Sequence, residues 1–307
     1  MSCLFHKKAF LAVFLALAII SLSCGLPSKL VPANQAAPVQ SPQSTVADTA
    51  LPPAASATNT PEQPTSSPEP SQEITLTEAS LPQADFGGVT FSYDPQIASS
   101  VSGEEVAAVG SGQGAPWEIQ PTTIKFSFDG YPVPDSFTLP VILIFPVIDY
   151  QSMSGEAAKV IDALRQVIAV HPQTFSKDGL PFLPMWNAGQ IMHTKVAYFT
   201  FSNGTGVRYL TMYAQNFAPV NNNYLFYTYQ GLTSDGKYYI SAILPVTNAI
   251  LPPDDSSVPG GDFQKFSDNF PTYIADMQGK LDAQPEDAFV PSLTLLDNMI
   301  KSIAIIK

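Results

Sequence analysis

The sequence predicts an α+β protein: an antiparallel sheet of about six to seven strands with two β-hairpins, covered by helices in an α/β/α-like arrangement and preceded by a disordered stalk. Three observations support this fold class. Strand-like alternation recurs through the second part of the chain, and two pairs of these segments are joined by short turn sequences. Helical patterns lie before and after the hairpins. A Pro-, Ser- and Thr-rich segment without aromatic residues precedes all of them.

Three strands are predicted at the start of the folded region. In "GVTFSYDP" the apolar residues Val89, Phe91 and Tyr93 alternate with polar ones, which indicates a half-buried strand. The strands "TIKFSFDG" and "PVILIFPV" follow after a Gly-rich loop. Because the last of these is apolar on both faces, we expect it in the centre of the sheet.

The clearest helix is "SGEAAKVIDALRQVIAVHP", where Ser154 is placed to cap the N-terminus and Pro172 to stop the helix. Five apolar residues recur at helical spacing and predict the buried stripe. They are Val160, Ile161, Leu164, Val167 and Ile168.

Two hairpins follow the helix. The strands "KVAYFTFS" and "VRYLTMYAQ" flank "NGTG", in which we expect Asn203 and Gly204 to adopt the positive φ of a tight turn. The strands "YLFYTYQGL" and "KYYISAILPV" flank "TSDG", with Asp235 and Gly236 in the turn. Helical patterns return at about 263–283 and 292–303, and Pro271 is expected to kink or split the first of them.

The order of these elements resembles the PsbP/Mog1-like fold of extracytoplasmic and photosystem-associated proteins. The segments that carry the resemblance are "FSYDP", "VILIFPV" before the long helix, "DGKYYIS" in the second hairpin and the closing "LTLLDNMIKSIAI". Members of that superfamily act mainly as binding or assembly factors. The resemblance therefore implies a protein that is not an enzyme.

The N-terminus reads as an export signal over residues 1–23. A short positive segment precedes "AFLAVFLALAIISL", an apolar run shorter than the roughly 20 residues of a membrane span. The following "SLSC" resembles the lipidation motif of bacterial lipoprotein signal peptides, with Ser21 where that family prefers leucine. The resemblance implies that Cys24 becomes the lipidated N-terminus, with more than one acyl chain attached and palmitate among them. An ordinary cleaved signal and a retained membrane anchor stay open as alternatives.

Cysteine usage agrees with lipidation. The chain has two cysteines, Cys3 and Cys24, so the folded region contains neither a disulfide nor a cysteine nucleophile. Residues 24–83 predict a lipidated N-terminus and a disordered linker, because so few apolar side chains cannot offset the entropy of ordering. Residues 84–307 predict a single globular domain. We expect the protein outside the cytoplasm, held at the cell membrane by Cys24.

Charge and motifs exclude several function classes. The formal net charge is −12 and no basic run occurs, so nucleic acid is not an expected partner. His171 at a helix end and His193 at a solvated strand edge lack the partner motifs of a catalytic site. No cofactor is expected. The expected partners are the lipid bilayer, through the N-terminal lipid, and an unknown protein or glycan.

Two stretches suggest binding. Asp254, Asp255 and Asp262 in a Pro/Gly-rich loop could supply calcium ligands, or they form a solvated acidic loop in which Asp262 caps the next helix. Tyrosines and amides concentrate in "MYAQNFAPVNNNYLFYTYQ", where aromatic area and directional hydrogen bonds suit a glycan or peptide. The candidates are Tyr213, Asn216, Asn222, Tyr224, Tyr227 and Tyr229. The alternative is that these tyrosines belong to the core and to cross-strand pairs.

The leading hypothesis is a membrane-anchored extracytoplasmic lipoprotein with a non-catalytic binding or assembly domain. The alternative is a hydrolase of envelope polymers that uses acidic residues such as Glu118, Asp235 or Asp254, although nothing in the sequence pairs these carboxylates. A purely structural envelope protein is the third possibility.

Overall fold

A seven-stranded antiparallel sheet forms the centre of the computed structural model, which describes residues 80–175 and 179–306. The strands in chain order are β1 Gln83–Phe86, β2 Val89–Ser92, β3 Ser100–Val106, β4 Thr123–Asp129, β5 Val141–Pro146, β6 Gly189–Phe201, β7 Gly204–Ala214, β8 Phe226–Thr233, β9 Tyr238–Pro245, β10 Thr247–Asn248, β11 Phe289–Val290 and β12 Ala304–Ile305. The helices are α1 Val147–Met153, α2 Gly155–Val170, α3 Phe263–Asp268, α4 Phe270–Asp282 and α5 Leu293–Lys301.

The main sheet has the order β3-β4-β5-β9-β8-β7-β6, and every neighbouring pair is antiparallel. The predicted fold class is confirmed. Strand β5 pairs with β4 and β9, in the interior position that its two apolar faces indicate. Strands β1, β2 and β12 form a small second sheet, and β10 pairs with β11. The sequence prediction missed β1, β3 and the short strands, which have few alternating apolar residues.

Alternating side chains divide the sheet into two buried faces. On one face Phe145, Tyr209 and Tyr239 pack against Ile161 and Leu164 of α2. On the other face a larger apolar cluster joins the sheet to α4, α5 and the small sheet. This cluster includes Ile142, Tyr227, Ile240, Ile274, Leu281, Leu296 and Ile300. Burying each large apolar side chain stabilises the fold by about 1.5–3 kcal/mol, so helices on both faces are needed to complete the core.

Helix α2 begins as predicted. The Ser154 hydroxyl oxygen accepts a hydrogen bond of 3.2 Å from the backbone N–H of Ala157, which confirms the cap. The helix ends at Val170, and His171 closes it in the left-handed conformation with φ of 49°. This end agrees with the predicted stop at Pro172, because a proline disfavours helical backbone in the residue before it. A preceding helix, α1, was missed because its first residue continues the apolar run of β5.

Both predicted hairpins are present, but their turns differ from each other. Strands β6 and β7 are joined through Ser202 and Asn203, and Gly204 already pairs with Phe201 in the ladder. Neither Asn203 nor Gly204 has a positive φ, so that expectation is wrong. Gly204 is required for space, because a Cβ there would lie 2.0 Å from the Phe201 ring. The second hairpin does use a positive φ, which is 70° at Gly236.

The C-terminal helices also follow the sequence. Helix α3 ends at Asp268, and α4 begins at Phe270 with Pro271 in its first turn, which confirms the predicted split. The predicted signal peptide, Cys24 and the linker up to residue 79 lie outside the described residues. Within 80–175 and 179–306, none of the helices combines the length and the apolar character needed to cross a membrane.

Candidate functional site

The two ends of the main sheet are connected differently. At one end the strands are joined by the turn at 202–203, the turn at 234–237 and the longer connection 107–122, and we call this the turn end. At the opposite end β4, β7 and β9 finish and β5, β6 and β8 begin. The connections there are long, and they include 130–140, 215–225 and 246–262. We call this the loop end.

A cavity of about 830 Å³ is lined by residues from the loop end and from the connection between β3 and β4. Five of its fourteen lining residues are aromatic. They are Trp117, Phe137, Trp186, Tyr213 and Tyr224. The sequence contains two tryptophans, and both line this cavity. Small-molecule sites are typically mostly apolar concavities of about 300–1,000 Å³ with a few polar groups, and the cavity fits that description.

The aromatic walls differ in how firmly they are held. The ring of Trp186 lies 5.1 Å from Tyr213 at 70°, and it also packs edge-on against Phe182 at 5.0 Å. Such pairs stabilise by about 0.5–1.5 kcal/mol beyond burial, so this wall is rigid. Phe137 contacts Tyr224 at 5.0 Å, but 70% of its side chain is exposed. Phe137 therefore presents apolar area that the fold itself does not bury.

The Tyr213 phenol is kept neutral at the cavity wall. Burial raises the pKa of Tyr213 well above its usual value, against a smaller lowering by Gln190. The Gln190 amide donates a 3.0 Å hydrogen bond to the phenol oxygen, and its carbonyl accepts from the backbone N–H of Leu180. Among the described residues, no acceptor takes the phenol hydrogen.

The other polar groups of the cavity differ in whether they have a hydrogen-bond partner in the described part of the chain. The Gln215 amide is bonded, because it donates to the backbone carbonyl of Asn187 at 2.6 Å. The side chains of Asn187, Asn216 and Asp255 line the cavity and form no hydrogen bond or ion pair with another described residue. These groups are available for directional contacts with a ligand.

Three of the six predicted binding residues, Tyr213, Asn216 and Tyr224, lie in this cavity. Asn222 has a structural role instead. Its amide donates to the carbonyls of Asn248 and Leu251, and its side-chain oxygen accepts from the N–H of Asn248 at 2.8 Å. Asn222 thus fastens two connections of the loop end together.

The structure contradicts a surface role for the last two tyrosines. Tyr227 and Tyr229 are fully buried on the sheet face that packs against α5. The Tyr227 hydroxyl donates to Asp297 at 3.0 Å and that of Tyr229 to the carbonyl of Phe199 at 2.9 Å. Alternation along β8 turns both rings to the core, as the alternative interpretation expected.

The three aspartates of the acidic loop are used separately. Asp254 accepts from the N–H of Ser256 at 2.8 Å, and Asp262 caps α3 by accepting from the N–H of Lys265 at 3.1 Å. Asp255 lines the cavity. Within the described residues no three His, Cys, Asp or Glu side chains form a group that could hold a metal ion. The expected calcium site is therefore not assembled from these carboxylates.

The carboxylates suggested for hydrolysis each stabilise a local turn. Asp235 accepts from the Thr233 hydroxyl at 2.6 Å and the Lys237 N–H at 3.1 Å, and these bonds lower the pKa of Asp235 to about 2. Hydrogen bonds from Ser256 likewise lower the pKa of Asp254. Glu118 accepts from the N–H of Ala115 at 2.8 Å. The two aspartates stay ionised near neutrality, which is unsuited to a general acid.

The histidines make packing contacts. His171 stacks on Tyr198 with ring centroids 4.2 Å apart. His193 lies on edge strand β6 as expected, but it is half-buried against Phe175. Burial lowers the pKa of His193, and the charge of Asp282 opposes this. The neutral imidazole is thus the favoured form.

Sequence reasoning missed Trp117, Phe137, Trp186 and Asn187. The available signal was that both tryptophans lie outside the predicted strands and helices and close to a proline, in "APWE" and "PMWNAG". Comparison with models of known protein families, with curated proteins and with solved structures gave no match. The resemblances to bacterial lipoproteins and to the PsbP/Mog1-like fold stay predictions, and the functional argument depends on the cavity.

Proposed function

We propose that this chain is an extracytoplasmic lipoprotein, anchored to the cell membrane through lipidated Cys24, whose folded body binds a small ligand without transforming it. The observation that carries the binding role is the aromatic cavity of about 830 Å³ at the loop end. The anchoring role is supported by the export signal and by the single cysteine that follows it.

The cavity combines aromatic contact area with polar groups that can orient a ligand. Trp186 and Tyr213 form a rigid wall, and Phe137 leaves a ring exposed for a further contact. The unpaired side chains of Asn216 and Asp255 can orient a ligand against these rings. Apolar walls with a few convergent polar groups are typical of sites that recognise small molecules.

The polar lining favours binding over hydrolysis. Acid–base hydrolysis of a glycosidic bond uses two carboxyl groups about 5–10 Å apart. Asp255 is the one carboxylate among the described lining residues, and no His, Lys or Cys accompanies it there. The cavity thus lacks a second group for the proton transfers that such a reaction requires.

Tryptophan fluorescence tests the binding role, because both tryptophans report from the cavity. A panel of neutral sugars, amino acids, short peptides, carboxylates and alkylammonium compounds is titrated into the chain with excitation at a wavelength that only tryptophan absorbs. We expect a saturable change in emission for at least one class. Phe137→Ala should weaken that binding by about three- to thirtyfold through lost ring contact.

Phe263→Ala is the matched control, because Phe263 is also an exposed phenylalanine but does not line the cavity. It should bind like the unmodified chain. The proposal fails if no class in the panel saturates, or if a saturating compound binds the Phe137→Ala and Phe263→Ala variants equally well.

Cell fractionation tests the anchor. Cys24→Ala should release the protein from membranes or block its maturation, because no other cysteine follows the apolar run. Cys3→Ala is the control and should stay in the membrane fraction. Unchanged membrane retention of Cys24→Ala would exclude anchoring by a lipid at this residue.

A further inference from the structure

We infer that the cavity recognises a methylated ammonium group, such as the head group of choline. This inference rests on the proposed function, because it names the ligand class of the same cavity. It is carried by the charge distribution of the lining residues rather than by the size of the cavity.

The walls present electron-rich surfaces. An aromatic ring has a negative face, and a cation within about 6 Å of the ring centre is attracted to it, most strongly by tryptophan. Five rings line this cavity, and two of them are tryptophans. Trp186 and Tyr213 are in edge contact, with ring centroids 5.1 Å apart at 70°, and Phe182 packs against both. A compact cation can contact the ring surfaces that remain open to the cavity.

The charge of the lining residues also favours a cationic ligand. Asp255 is the one charged side chain among the described lining residues, and no lysine, arginine or histidine lines the cavity there. No described residue pairs with Asp255, so its charge is not neutralised internally. An anionic ligand would meet a like charge without a compensating cation, whereas a cationic ligand meets a complementary one.

The aromatic rings of the lining favour a methylated over a primary ammonium. A primary ammonium carries three N–H donors, each of which loses its water when the group lies against aromatic carbon. A quaternary ammonium has no N–H group, so it loses no hydrogen bond when it lies against the same rings. Its methyl groups also bury apolar area against the rings of Trp186 and Tyr213.

The cavity has room for more than the head group. Its volume of about 830 Å³ lies in the range that accommodates drug-sized ligands. The amides of Asn187 and Asn216 line the same space and can contact a hydroxyl or ester beyond the cation. The ligand is therefore a methylated ammonium compound with a polar, uncharged extension.

Choline and dimethylbutanol, in which carbon replaces the choline nitrogen, test the inference directly. The full-length Cys24→Ala chain is titrated with each compound, and binding is followed by tryptophan emission and by calorimetry. We expect choline to bind about tenfold or more tightly than dimethylbutanol, because only the charge differs between the two. Added salt should weaken choline binding alone.

Neighbouring aspartates supply a matched pair of variants. Asp255→Asn removes the cavity charge and should weaken choline binding by about three- to tenfold while leaving dimethylbutanol binding unchanged. Asp254→Asn is the control, since Asp254 is bonded to Ser256 and does not line the cavity. Equal losses of choline affinity in the two variants would contradict a contact between Asp255 and the cation.

Phosphatidylcholine vesicles distinguish a lipid head group from a soluble ligand. Sedimentation of the Cys24→Ala chain with these vesicles, but not with phosphatidylglycerol vesicles, assigns the ammonium to a lipid. Binding of free choline without sedimentation assigns it to a soluble compound. The inference is overturned if choline fails to bind or if dimethylbutanol binds as tightly. In that case the panel of compounds decides separately whether the cavity binds any other ligand.

Discussion

The turn end and the loop end belong to one sheet but use their polar and aromatic groups in different ways. At the turn end the Asn203 amide donates to the carbonyl of Ile305 at 2.7 Å, and Asp235 is held by Thr233 and Lys237. At the loop end Asn216 and Asp255 are unpaired with any described residue, and Phe137 is exposed. The difference indicates that these side chains of the turn end form hydrogen bonds within the protein, whereas those of the loop end remain available for a ligand.

A buried ion network supports the sheet between the two ends, and its loss should have the largest effect. Arg208 lies 3.4 Å from Glu286 and 3.3 Å from Asp297, with a side chain that is 5% exposed. Arg208→Ala removes the arginine from both carboxylates, of which Asp297 keeps the Tyr227 hydroxyl and Glu286 keeps Lys195 at 3.8 Å. The variant should lower the free energy of unfolding by about 3 kcal/mol. Denaturant unfolding measures this loss.

Arg165→Ala is the control for Arg208→Ala, because Arg165 pairs with Asp162 on the exposed face of α2. An exposed pair of this kind contributes at most about 1 kcal/mol. The assignment of Arg208 to the scaffold would be contradicted if both variants lost the same small amount.

The close approach of β7 and β8 should give the next largest effect. A Cβ on Gly206 would lie 2.4 Å from the carbonyl oxygen of Gln230 and 2.7 Å from the Cα of Gly231. Since backbone must move to make room, Gly206→Ala should cost about 1–3 kcal/mol of stability. Thermal unfolding compares it with Gly279→Ala, which has open space in α4 and should gain about 0.5–1 kcal/mol. A Gly206→Ala variant as stable as Gly279→Ala would contradict the close packing.

Gly236 separates the roles of the two ends. Its φ of 70° lies in the left-handed region, so Gly236→Ala should cost about 1 kcal/mol through backbone strain at the turn end. Ligand affinity should stay unchanged, because the turn is at the opposite end from the cavity. Unfolding and calorimetry on the same variant measure both. A loss of ligand affinity without a loss of stability would contradict the assignment of binding to the loop end and of a structural role to this turn.

The smallest effect is a pH dependence at Asp235. Hydrogen bonds from Thr233 and Lys237 lower the pKa of Asp235 from 3.8 to about 2. Because the folded value lies below the unfolded one, this contribution is present above pH 3.8 and is lost as the pH falls through about 2. The stability advantage of the unmodified chain over Asp235→Asn should therefore shrink across that interval. Parallel stability profiles for the two chains would show that the charge contributes nothing.

The sequence predicted the regular elements because they follow local rules. Alternation, the Ser154 cap and Pro271 each act within a few residues, and the sheet, α2 and the split before α4 agree with them. The cavity depends on contacts between distant segments. Trp117 and Asp255 are far apart in the sequence, and no periodicity indicates that they meet.

The same limit explains the division of the candidate tyrosines. Tyr213 and Tyr227 lie in similar aromatic stretches, but the register of β7 and β8 turns one to the cavity and the other to the core. That register was not specified by the residues around them. Side-chain alternation alone predicts that the sheet has two faces. It does not predict where a side chain on either face lines a cavity rather than the core.

The most direct test of the account is a two-dimensional amide NMR titration with the tightest-binding compound from the panel. The chain contains two tryptophans, so two indole N–H signals are expected, and both report from the cavity. We predict that both indole signals and those of Tyr213 and Asn216 shift with one common dissociation constant, while Gly236 does not move. Shifts concentrated around Gly236 and Asn203, with unchanged indole signals, would contradict the assignment of binding to the loop end.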